Sequence, residues 1–374
     1  MTFYYFVFSA AVLTASQIKP RHNFDMLAYV ACAKSFEMGD ESRLHSFVFS
    51  ELERAVPGGT FERLTEGTTF RRTVGSDETA FGEHLRFFKI RPIYNGCVYL
   101  AYKAGVDIFR ASYLVSGVSV FLGIWVLFLI GLPRLNHIYM YLIPPLGLGF
   151  GLFDIARLST PDGLAFLGVV LSAYLFLRRS RLLLIVLPLC VAIRTDLVIF
   201  AAVFAVCLIA AGTYGRLPTA ASLGASVALY AFINSHYGYP GWAVVFHHTL
   251  IERLSHPMSQ EAVVTAGDYF RALLRGIRSL VGSTRLLVYL FVSAASVYAL
   301  VKPSRSMIKP RTVGVDVFVL TVVPLSYVIL HFAAFPDPDF RYFVPHYIVG
   351  TVAFLMMVSN RDALGRLTRT KDVS

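Results

Sequence analysis

One acidic residue stands where chemistry beside a membrane would want it. An apolar run over 3–18 gives way to the polar stretch Gln17–Tyr29 (QIKPRHNFDMLAY), which holds Asp25 with Tyr29 one helical turn further on. A carboxylate at the mouth of an apolar span is a poor packing choice and a sensible proton acceptor. Its structural alternative is a helix-start acid paired with Arg21. Other charges also sit where charge is expensive. Arg194 and Asp196 interrupt the apolar run 182–212, and Arg341-Tyr342 immediately precedes the last such run. Asp154 and Asp162 flank a turn between two apolar stretches, and Lys89 and Arg91 fall in the aromatic segment FFKIRPIY. His84, in EHLR, is a candidate contact on the ligand side. Each also has an ordinary role: long cations snorkel to the interface, and Asp162, after Pro161, suits the first turn of a helix.

The elements that must position these residues are apolar. The chain has 374 residues, 56% hydrophobic and only 15% charged, with mean hydropathy +0.61, which excludes an ordinary soluble domain. Nine apolar stretches are read as membrane-inserted: 3–18, 113–132, 138–153, 163–177, 182–212, 220–235, 285–301, 315–335 and 343–359. The formal charge of +11 does not mark a nucleic-acid binder, because the basic residues sit in short loops rather than on one soluble face. Arg134, Arg178, Arg179, Arg181, Arg216, the Lys/Arg of 302–311 and those beyond 360 share one set of loops. The opposite set carries Arg157, Arg194 and Arg341. The positive-inside rule puts the first set in the cytoplasm, with both termini. The run 182–212 then has to enter and return. Its length is too short for two crossings, so it is expected to be a broken pair of helices with its apex at Arg194-Thr195-Asp196, facing a cavity.

The chain reads as a single integral membrane domain, 1–374. A first external loop spans 19–111, with a juxtamembrane helix near 92–108. A second external loop spans 236–284, and a cytoplasmic tail occupies 360–374. Within the first loop, 41–83 reads as flexible recognition surface or as nothing specific. The apolar N-terminus lacks a basic leader and is expected to be a retained span. The four cysteines have no metal-ligand spacing and read as small buried hydrophobes. His236, His247, His248 and His256 show no recognised ligand pattern either.

Three segments together carry a resemblance. RPIYNGCVYLAYKAGVDIFRASYLVSGVSVFLGIWVL, STPDGLAFLGVVLSAYLFLRRSRLLLIVLPLCVAIRTDLVIF and FRYFVPHYIVG resemble, in order and spacing, the membrane glycosyltransferases of the GT-C superfamily, mannosyl- and arabinosyltransferase-like. The resemblance implies an all-α polytopic fold with about 10 membrane-inserted helices. It also implies an enzyme that inverts the anomeric centre while moving a sugar from a polyprenyl-phosphate donor to a glycan or lipid acceptor outside the inner membrane. Asp25 would be the general base. Arg194, Arg341, Arg91 and Lys89 would hold the lipid phosphate, and Tyr29, Asp162, Asp154, Asp196, Tyr342 and His84 would hold sugar or acceptor. No cofactor is assigned, and a divalent cation stays open. Membrane lipids are expected partners; nucleic acid is not. The alternatives are a lipid or sugar transporter or flippase, an O-antigen ligase or polymerase, and an inactive scaffold subunit. The single Asp25, where relatives often carry an acidic pair, and the lack of a large C-terminal soluble domain depart from the better-known branches.

Overall fold

The computed structural model describes residues 1–301, 311–337 and 339–371. Among them every regular element is helical, and one isolated parallel bridge joins Arg21 to Leu158. Helix α1 (Thr2–Ile18) leads into a cap made of α2 (Asp25–Lys34), α3 (Glu41–Ala55), α4 (Gly58–Thr65), α5 (Thr69–Ser76), α6 (Glu78–Lys89) and α7 (Pro92–Lys103). A bundle follows: α8 (Ile108–Gly131), α9 (His137–Phe150), the short α10 (Leu152–Ala156), α11 (Asp162–Leu177), α12 (Leu183–Ile193), α13 (Leu197–Ala211) and α14 (Arg216–His236). Then α15 (Trp242–Phe246) runs into a π turn, His247–Ile251, before α16 (Ala266–Val281), α17 (Thr284–Val301), α18 (Arg311–Ala334) and α19 (Val344–Lys371). Lys302, Arg305 and Lys309, and the side chains beyond Ser359 on which the cytoplasmic tail was read, lie outside the described residues.

The stretch 41–83, read as flexible surface, folds into four short helices. Three begin with a side-chain cap: Asp40 accepts from Arg43 N, Thr68 from Arg71 N, and Asp77 from Thr79 N and Ala80 N. Each cap satisfies an amide that a helix start would otherwise leave unpaired. Leu44, Val48 and Leu52, at the i, i+4, i+8 spacing of one helix face, are buried with Leu64, Val74, Phe81 and Leu85 around α2. The cap thus has its own core, and Asp25 opens its central helix.

The bundle has two distinct ends. At one, Arg134 donates to Leu177 O (3.0 Å), Arg179 pairs with Asp316 (2.5 Å), and Asn136 N donates to Ser359 Oγ (3.0 Å). The other ends of α8, α11, α18 and α19 therefore gather opposite, beneath the cap. Close approach of α8 and α11 requires glycine. A Cβ on Gly163 would stand 2.6 Å from Ser116 O, and one on Gly123 would enter the Phe166 ring.

The expectation of about 10 membrane-inserted helices of GT-C type is overturned. By length and composition three helices could cross a membrane: Ile108–Gly131, Arg216–His236 and Gly314–Ala334. A fourth is counted if Ala266–Val281 and Thr284–Leu300, bent by 84°, form one span. The reason is length. Helices α1, α9, α11, α12 and α13 have 17, 14, 16, 11 and 15 residues. At 1.5 Å per residue they reach roughly 16–26 Å, against a hydrocarbon core of about 30 Å. Much of their apolar character is spent on one another: Phe166, Phe176, Leu183, Phe200 and Phe204 are almost wholly buried. Apolar runs of this length are ambiguous between core helix and span. The three or four spanning-length helices are consistent with a multi-pass membrane protein.

Candidate functional site

The site begins at the link between α1 and α2. Arg21 N donates to Arg157 O at 2.9 Å, which pins the link against the turn after α10. Asp25 then falls in the first turn of α2, where a carboxylate is favoured. Far along the chain, Asp339 Oδ1 accepts from Arg341 N at 3.2 Å and caps the 3-10 turn Phe340–Tyr342. That turn aims Arg341 at the cap. Arg341 Nη1 donates to Asp25 Oδ2 at 2.8 Å, across 316 residues of sequence. Its Nε stands 2.8 Å from Asp339 Oδ2, out of line for a hydrogen bond, and 3.9 Å from Asp162 Oδ2.

A buried ionic chain continues inward. Asp162 receives the Thr160 hydroxyl (2.6 Å) and Arg194 Nη1 (2.6 Å). Arg194 grips Asp196 with two bonds, Nε to Oδ1 (3.1 Å) and Nη2 to Oδ2 (2.7 Å). The Tyr327 hydroxyl donates to Asp196 Oδ2 at 2.6 Å, and His331 Nε2 stands 3.3 Å from the same oxygen. Tyr342 lies beneath both guanidiniums, 4.8 Å from that of Arg194 and 5.2 Å from that of Arg341. Helices α12 and α13 meet here: Arg194 is extended, and Asp196 precedes the next helix. With its side chain 4% exposed and committed to two carboxylates, Arg194 has no free face for a phosphate.

Above Asp25 opens a cavity of about 1010 Å³. Its lining includes Asp25, Arg341 and Asp339, together with Arg21, Arg71, Arg253, Glu252 and Glu261. Among the described residues, no carboxylate lies within ion-pair distance of Arg21, Arg71 or Arg253. Arg71 donates to Arg63 O at 2.7 Å and lies over the Phe24 ring, while Arg253 lies over Phe70. Burial, then the charges of Arg63 and Arg253, hold Arg71 below its usual range, with Asp25 opposing. Burial alone would raise the Asp25 carboxyl, but the Arg341 charge and hydrogen bond outweigh it and hold Asp25 below the usual carboxylate range.

The remaining predicted residues fall around this core. Tyr29 is buried against Phe88 and Tyr94 (5.0 and 4.9 Å), and Arg91 lies over its ring while donating to Phe87 O. His84 is buried among Phe24, Phe70, Phe87 and His248, with neither ring nitrogen hydrogen-bonded. Burial first, then His248, push its pKa down to about 3, against the pull of Asp25. Asp154 pairs with Arg285 (3.0 Å), apart from the ionic chain. Lys89, half-buried at the end of α6, does not line the cavity. Sequence reasoning missed Arg71, Arg253, Tyr327 and His331. Only His331 carried a signal, as an ionisable residue inside an apolar run. No cluster of three or more His, Cys, Asp or Glu suited to a metal occurs among the described residues.

Comparison with known protein families, with curated proteins and with solved structures finds no match to this chain. Together with the three or four spanning-length helices, this overturns the GT-C resemblance. The glycosyltransferase reading falls with it, as do Asp25 as its general base and the transporter, flippase and O-antigen ligase alternatives. What stands is a helical chain with three or four helices long and apolar enough to cross a membrane and an arginine-lined polar cavity.

Proposed function

We propose that this protein is a membrane-seated binding protein for a phosphate-bearing, hydroxyl-rich ligand. The observation that carries the reading is the set of cavity arginines, Arg21, Arg71 and Arg253, without carboxylate partners among the described residues. Arg71 and Arg253 stand near enough for their charges to oppose each other, an anion between them relieves that repulsion, and the guanidinium fork suits phosphate. Asp25, Asp339, Glu252 and Glu261, on the same lining, offer acceptors for ligand hydroxyls. A phosphorylated inositol lipid carries both features. The basic end of the bundle, with Arg134 and Arg179, supports a cytoplasmic location for that end under the positive-inside rule, and with it an external location for the cavity.

The test uses the full chain in lipid nanodiscs, with a short-chain phosphatidylinositol phosphate and inorganic phosphate as separate probes. At about 100 times its Kd, a bound ligand stabilises the folded state by about 2.7 kcal/mol. Wild type is expected to gain thermal stability and the Arg71→Gln/Arg253→Gln variant to gain none. A response to inorganic phosphate alone assigns a soluble anion. Equal stabilisation of variant and wild type, or no response to either probe, defeats the reading.

A further inference from the structure

Helix α16 presents three different faces. Its packed face carries Ala272 and Gly276, both buried, and a Cβ on Gly276 would stand 2.6 Å from Pro336 O. Tyr269, on the same side, donates its hydroxyl to Ala333 O at 2.6 Å, and Trp242 Nε1 donates to Ala334 O at 2.8 Å. The helix is thereby fastened across the end of α18, one of the three helices of spanning length. A second face is apolar and open: Phe270, Leu274, Ile277 and Val281 are 61%, 55%, 43% and 64% exposed. Their spacing of four, three and four residues places them within about 60° of one another on the helix. A third face, roughly 100° away at 3.6 residues per turn, bears Arg271, Arg275 and Arg278, all exposed.

We propose that α16 is a surface-lying helix whose apolar stripe sits in an anionic lipid leaflet, with its arginine stripe among the lipid phosphates. Three independent features point there. The helix turns by 84° from α17, so the two cannot both run across the bilayer. It lies against the terminus of α18 rather than its middle, at the depth where a bilayer interface begins. An apolar stripe flanked by arginines is also the pattern that binds headgroup phosphate while burying its other face in acyl chains. A second copy of the chain is a poorer occupant, since it would bring arginines against arginines in a protein of net charge +11. Arg275 also donates to Leu250 O in the π turn at 2.6 Å. A helix held by the leaflet therefore also holds the segment leading to Glu252 and Arg253 of the cavity. The proposal does not depend on what that cavity binds.

The test places a bimane fluorophore on the full chain at Leu274→Cys, and separately at Ile277→Cys, in a Cys97→Ala background. Nanodiscs contain phosphatidylcholine and phosphatidylglycerol in equal parts, with brominated chains on one lipid or the other. Strong quenching by brominated phosphatidylglycerol, exceeding that by phosphatidylcholine severalfold, is expected. Each basic residue near an anionic surface enriches such lipid roughly fivefold. Arg271→Gln/Arg278→Gln should sharply weaken the preference while leaving the quenching, since only Arg275 of the stripe remains. Quenching by aqueous iodide instead, or by neither lipid at both positions, overturns the seating. Equal quenching by the two lipids in the wild type overturns the anionic assignment. Wild-type elution and melting of each labelled chain exclude misfolding as the cause.

Discussion

Replacing Arg194 by glutamine should destabilise the protein without changing what its cavity binds. The side chain is 4% exposed and holds Asp162, itself 3% exposed, at 2.6 Å and Asp196 at 2.7 Å. Removing one partner of a buried ion pair strands the other charge, at a typical cost of about 3–5 kcal/mol. The two carboxylates would not suffer equally. Asp196 is 28% exposed and keeps Tyr327 and His331, so much of its charge stays compensated. Asp162 keeps only the Thr160 hydroxyl and Arg341 at 3.9 Å. The loss should therefore sit near the lower end, about 3 kcal/mol, and fall mainly on Asp162. Adding Asp162→Asn should recover about 1–3 kcal/mol of it, because neutral amides in place of a lone buried carboxylate remove the stranded charge. Arg194→Lys should lie between, since one ammonium cannot fork to both carboxylates. Reversible unfolding of these proteins, and of Asp162→Asn alone, in the same lipid mixture reads these differences. Strictly additive losses in the double variant, or an Arg194→Gln loss within the noise of a surface substitution, would refute the account of Arg194 as structural keystone.

Two further outcomes follow from single residues. His84 binds its proton at about pH 3 in the folded chain and near 6.5 when unfolded, so the unfolded state alone gains a proton as pH falls between these values. Stability is complete above about pH 6.5 and declines on acidification, by about 3 kcal/mol down to pH 4. His84→Phe, matched to its aromatic surroundings, should flatten that slope in unfolding measured across the range, and an unchanged slope would dismiss the assignment. Gly163→Ala would push a methyl to 2.6 Å from the Ser116 backbone, which no rotamer change can relieve. A loss of about 1–3 kcal/mol in unfolding free energy is expected, and an alanine variant as stable as wild type would show that α8 and α11 separate freely.

Much of the bundle was legible because apolar runs and their interruptions are local properties. The break between α12 and α13 coincides with Arg194 and Asp196, where charge enters an apolar stretch. Arg341 could be suspected from its place before the last apolar run. Hydropathy did not reveal length as the structure sets it: α9 and α12 are apolar throughout yet only 14 and 11 residues long, and they satisfy their apolar faces against neighbouring helices. The cap was hidden for a different reason. Its helices α4 and α5 have eight residues each, too few for a clear period, and their starts depend on caps such as Thr68 that look like loop residues. Arg71 and Arg253 had no signal at all, because an arginine in a polar segment acquires meaning only from what stands beside it.

The arginines of the site divide by their partners, and that division separates architecture from binding. Arg194 is saturated by two carboxylates, and Arg341 is shared among Asp25, Asp339 and, more distantly, Asp162. These two tie the cap, the α12–α13 break and the start of α19 into one rigid floor. A ligand anion there would have to displace a carboxylate already in place, which gains little. Arg71 and Arg253 stand on the cap and on the segment after the π turn, and neither meets a carboxylate among the described residues. An anion at these residues relieves repulsion rather than replacing an attraction, and it would strengthen the contact the two segments already make where Arg253 lies over Phe70. Binding should therefore tighten the roof of the cavity while the floor stays fixed. Hydrogen exchange in α5 and in 252–261 should slow on ligand addition and that around Asp162 should not; the reverse pattern would place the anion on the floor.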